Sequence, residues 1–157
     1  MQASLIAIFF AGLSSVLIGF VWYSPMLFGN VFLRLSGVTP EMAQAGRKKM
    51  PLMAFFALLA AIVVAYVMSF MWPVLVYPDW IGAIEFGVWC WIGFIAPVML
   101  GMVLWEGKPF RLYLIHSIHW LVSLIVMALI LVYGTMYLGG GATYGAGTNV
   151  DSTINVE

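Results

Sequence analysis

The chain has 157 residues, 64% of them apolar and 8% charged, against roughly 45–50% and about 25% in soluble domains. That composition excludes a water-soluble globule. Six Lys+Arg balance six Asp+Glu, which leaves no basic field for nucleic acid, and one cysteine, Cys90, rules out an internal disulfide framework.

A hydrocarbon core of about 30 Å takes about 20 apolar residues in a helix, each rising about 1.5 Å. Four stretches reach that length, so the reading is an all-α polytopic membrane protein: four transmembrane helices in an antiparallel bundle with a short cytoplasmic interfacial segment. The transmembrane domain covers residues 1–138, with spans at about 3–22, 52–72, 81–105 and 112–138, and a polar Gly-rich tail covers 139–157.

The first span lies in a charge-free run. It is expected to be retained rather than cleaved as a signal peptide, because residues 1–22 hold no Lys or Arg and end without an Ala-x-Ala pattern. Ala7, Ala11, Ser15 and Gly19 recur every four residues, one small-sided groove for close helix approach. Next, Ser24-Pro25 carries the chemistry of a cap and first turn, which predicts an interfacial helix over Met26 to Leu35. Thr39-Pro40-Glu41 repeats the signal before Met42 to Lys49. Both are expected to lie along the inner membrane surface.

The second span, from about Leu52 to Trp72, is expected to open at Pro51 and close at Pro73, and repeats the small-residue device with Ala57, Ala61 and Ala65. The third, about Ile81 to Trp105, carries Gly93, Pro97 and Gly101 at the same spacing, with Pro97 freeing a carbonyl. The fourth runs from about Leu112 to Leu138.

All six cations fall between spans one and two (Arg34, Arg47, Lys48, Lys49) or between three and four (Lys108, Arg111). The positive-inside rule then places both termini on the non-cytoplasmic side. Trp22, Tyr23, Trp105 and Tyr113 fit an inner aromatic belt, and Trp72, Tyr77, Trp80, Tyr133 and Tyr137 an outer one.

Three ionisable groups inside spans are site candidates, since charge in the membrane is costly. Glu85 lies about four residues inside the third span, where a helix N-terminus favours a carboxylate; the sharper reading is a protonatable gate. His116 and His119 share a face of the fourth span. They suit a metal or a proton relay, or else serve as neutral imidazoles bonded to a serine, tyrosine or carbonyl. Antiparallel depth sets Glu85 about 16 Å from His119 along the axis, so these groups are not one site, and neither a metal nor a cofactor is assigned. A polar cluster at the inner boundary, Tyr23, Ser24, Glu106, Lys108 and Arg111, reads as an anchor or a vestibule.

Trp22-Tyr23-Ser24-Pro25 with Leu27-Phe28-Gly29, Gly37, Glu41, Gly93-Phe94, Ala96-Pro97 and Glu106-Gly107-Lys108-Pro109 resemble a bacterial family of small four-helix membrane proteins catalogued as a domain of unknown function. The resemblance covers roughly residues 3–135. It implies a bacterial cytoplasmic (inner) membrane location and no particular activity, and an amide and an aromatic are more usual there around positions 116 and 119. With extensive grooves and no catalytic grouping, the expected role is an accessory subunit or homo-oligomer in the lipid bilayer, acting by helix packing. The alternative is a small-solute or proton-linked permease using Glu85, His116 and His119.

Overall fold

The computed structural model describes residues 4–75 and 79–138; Ala3, Tyr77 and the tail from Gly139 lie outside the described residues. The described residues are mostly helical, with no strand among them. The helices are α1 (Leu5–Trp22), α2 (Gly29–Ser36), α3 (Pro40–Leu75), α4 (Trp80–Cys90), α5 (Ala96–Leu104) and α6 (Phe110–Leu138), with a π turn over Trp91–Ile95 joining α4 to α5. Four stretches are long and apolar enough to cross a membrane: Leu5–Trp22, Lys48–Met71, Trp80–Leu104 and Phe110–Gly134. This is the expected all-α, four-span antiparallel architecture.

Side chains and glycines fix where several elements start and stop. Ser4 caps α1 by accepting the Ala7 N–H, and Asp79 caps α4 by accepting the Gly82 N–H at 2.7 Å, each satisfying an otherwise orphaned first-turn donor. Ser24-Pro25 does not cap a helix. Its residues are absorbed in a tight turn in which the Gly29 N–H donates to the Ser24 carbonyl and the Phe28 N–H to the Trp22 carbonyl, so α2 starts at Gly29, three residues later than expected. A side chain at Gly29 would strike the Tyr23 and Ser24 carbonyls. The Thr39 hydroxyl does accept the Met42 N–H as a cap.

From there α3 runs unbroken for 36 residues, or about 54 Å. The separate interfacial helix over Met42 to Lys49 and the span opening at Pro51 are therefore replaced by one rod, which also passes Pro73. Pro51 is exposed near the end of the span, where water can take up the carbonyl it leaves without a donor, and its neighbours Lys48, Lys49 and Met50 are good helix formers.

The third span is interrupted. The Ala96 N–H bonds to the Trp91 carbonyl five residues back, the widened turn that precedes Pro97. Two side chains pin it to α6: the Trp91 indole donates to the Ser117 carbonyl at 2.7 Å, and the Tyr113 hydroxyl to the Ala96 carbonyl.

The hub is α6, with α1 and α4 packed against it and α3 packed chiefly against α1. Half of its span, 50%, is buried, compared with 11% of the third span. Small residues permit the approach. A Cβ on Gly12 would reach the Ile62 backbone at 3.0 Å, and one on Gly87 would meet the Ile125 backbone at 2.9 Å. Ala7, Ala11 and Ser15 of the first groove are buried, as are Ala61 and Ala65 of the second, while Ala57 is exposed. One core, including Ile8, Phe86, Leu124, Met127 and Leu131, joins the spans. Arg34, Lys48, Lys49, Lys108 and Arg111 all fall at one end, called the basic end below.

Candidate functional site

At the basic end, α1 stops at Trp22 and hands its next residue to α6. Tyr23 Oη lies 2.7 Å from Nδ1 of His116, and the Trp22 indole donates to the Ile115 carbonyl at 3.0 Å. These bonds join residues 93 positions apart. Around the pair sits a shell of rings: Phe32 of α2 lies 5.4 Å from the His116 centroid, and Tyr23, Trp120 and Trp22 lie 5.3, 5.8 and 6.0 Å from that of His119. Burial holds the Tyr23 hydroxyl protonated, pushing it up to about 12.

The two histidines differ. His116 is half-buried and has a tyrosine partner. His119 is 8% exposed, and neither ring nitrogen has a hydrogen-bond partner. A neutral imidazole presents one donor and one acceptor, and each buried polar group left unmatched costs about 1–3 kcal/mol. Against this ring lies Gly19, where an added Cβ would sit 3.5 Å from Nε2 and meet no other neighbour within 4 Å.

Contacts of Tyr23 with His116, Gly19 with His119 and Ala7 with Gly134 fix the antiparallel register of α1 on α6. The same register levels Ser15 with Ser123, both buried, and then Ala11 with Met127, both fully buried and apolar. Polar groups thus form a file from the basic end to about half-way, and it stops at an apolar plug. The Ser123 hydroxyl has no partner either.

Glu85 stands apart from this file. It is exposed and accepts from the Trp89 indole at 3.3 Å. The contact of Gly87 with Ile125 levels it with Met127, about 12 Å along the axis from His119. The boundary cluster divides: Tyr23 joins the histidines, the Ser24 carbonyl holds the turn before α2, and Glu106 and Arg111 are exposed with Lys108 half-buried beside them. Gly107, at φ 63°, and the Lys108 N–H bonded to the Met102 carbonyl close that hairpin. Gly93 and Pro97 are exposed and Gly101 is half-buried. Among the described residues, no group of three or more His, Cys, Asp or Glu could hold a metal ion.

The places of Trp22 and Gly19 against His119, and of Phe32 against His116, were not read from the sequence. The signal was there in part, since Ser15, Gly19 and Tyr23, four apart, share one face of α1, and Ser123, His119 and His116, four and three apart, share one face of α6. Reading it required knowing that the first and last spans are neighbours.

A family model matches residues 6–132, described as "Protein of unknown function (DUF1761)". The chain belongs to this family. The DUF1761 match takes in Tyr23, Glu85, both histidines and the whole π turn, and ends short of the Gly-rich tail. No curated protein and no solved structure matches the chain.

Proposed function

We propose that this membrane protein acts by association within the bilayer, as a homo-oligomer or an accessory subunit, through the outward face of α4, the π turn and α5. The observation carrying this reading is the notch at Gly93 and Pro97. Both residues are exposed, and a Cβ on Gly93 would meet nothing within 4 Å. Proline at 97 has no N–H, so the turn is short of one donor, for the Ile92 carbonyl in π register or the Gly93 carbonyl in α register. Lipid tails offer no donor, so bare backbone oxygen at this depth is costly. A second helix brought close over small residues supplies Cα–H groups and packing to that turn. The low burial of this span, 11%, leaves the face open for such a neighbour.

A permease is less well supported, because Glu85 lies outside the polar file and the file ends at Ala11 and Met127. The positive-inside rule supports a cytoplasmic basic end with both termini outside, in a bacterial inner membrane as the family resemblance implies. Single-molecule photobleaching of the labelled full chain in lipid bilayers tests the association. Multi-step bleaching is expected, reduced to single steps by Gly93→Leu or Gly101→Leu. Single-step bleaching of the unaltered chain, with no co-purifying partner, refutes it.

A further inference from the structure

Nothing in an association role explains why a buried imidazole faces a gap with both nitrogens unmatched. His119 is more than nine-tenths buried without a partner, and the space an alanine side chain at position 19 would fill opens onto its Nε2. His116 stands on the same face three residues earlier, with Cβ atoms of such a pair about 5–6 Å apart. Tyr23 Oη occupies Nδ1 of His116, which leaves Nε2 for a ligand. That is the arrangement in which an outer hydrogen bond fixes the tautomer and orientation of a metal-binding imidazole. We propose that His116 and His119 together bind one soft monovalent metal ion, of the Cu(I) and Ag(I) class.

The donor set selects the charge. Zn(II) takes four ligands in closed sites and at least three protein ligands in open ones, and the described residues hold no third His, Cys, Asp or Glu there. A divalent ion would bring two charges among uncharged donors with no anion to offset them. A closed-shell monovalent ion is satisfied by two imidazoles roughly in line. The rings of Trp22, Tyr23 and Trp120 beside His119 accept a single positive charge by cation–π attraction.

The test uses the purified full chain in detergent micelles, titrated with Ag(I), and with Cu(I) under reductant, in competition with a chelator of known affinity. Zn(II) is run in parallel. One Ag(I) or Cu(I) per chain is expected, with Zn(II) bound much more weakly. His119→Phe and His116→Phe are expected to abolish the site. Gly19→Ala fills the space while keeping both imidazoles, and Tyr23→Phe removes the outer bond; each is expected to weaken binding about tenfold. Helical circular dichroism and tryptophan fluorescence of the metal-free variants check folding, and Gly19→Ala remains decisive if a histidine variant fails to fold. The eleven methionines of the chain are competing soft ligands. Unchanged stoichiometry and affinity in His119→Phe or Gly19→Ala, or Zn(II) binding as tight as Ag(I), overturns the proposal.

Discussion

Replacing Gly87 with alanine tests the contact that fastens the third span to the hub. The new Cβ would lie 2.9 Å from the Cα and backbone N of Ile125, whereas carbon atoms pack best at about 3.5–4.0 Å. The helices must therefore part by roughly 0.6–1 Å, and a gap of that size forfeits a quarter to a half of each dispersion contact beside it. Overpacking of this kind costs about 1–3 kcal/mol, offset by about 1 kcal/mol from the better helix propensity of alanine. The expected net loss is about 1 kcal/mol. Gly46→Ala is the matched control, since its Cβ meets nothing within 4 Å and only the propensity gain of about 1 kcal/mol applies. Equilibrium unfolding in mixed micelles, followed by tryptophan fluorescence, reads both variants. The reasoning fails if Gly87→Ala is as stable as Gly46→Ala.

Asp79→Ala is expected to destabilise by about 1 kcal/mol through loss of the α4 cap, with Asp79→Asn close to the parent in the same unfolding assay. Trp91→Phe keeps the ring but loses the donor to the Ser117 carbonyl, for a further loss of about 1 kcal/mol; Trp89→Phe, whose indole meets an exposed carboxylate, is the comparison. For the membrane arrangement, cysteines placed at Gly37 and at Asp79 in a Cys90→Ala background are expected to react with an impermeant maleimide from opposite faces of sealed vesicles. Labelling of both from one face contradicts the four-span order.

Hydropathy and length made the spans legible, because the bilayer imposes both on any crossing helix. Prolines were less readable. Pro51 and Pro73 looked like ends, yet a proline where water can satisfy the freed carbonyl leaves a helix intact, whereas Pro97, deeper in its span, is accompanied by a π turn. Of the small-residue stripes, Ala7, Ala11, Ser15, Ala61 and Ala65 are buried. On the third span, α6 is met by Ala83 and Gly87 instead, leaving Gly93 and Pro97 outward. The pairing of Tyr23 with His116 was not legible, since spacing within a helix says which residues share a face and nothing of which helix that face meets.

The hub is also the last of the described helices. Ribosomal synthesis proceeds from the N-terminus, so α1, α3 and α4 enter the bilayer before the segment that both α1 and α4 pack against. Until α6 arrives, α1 and α3 have each other through Gly12 and Ile62, while the third span has no settled neighbour. Assembly is therefore a late event rather than a progressive one, and a nascent chain cut short anywhere before Phe110 leaves a membrane protease an unclasped helix to seize.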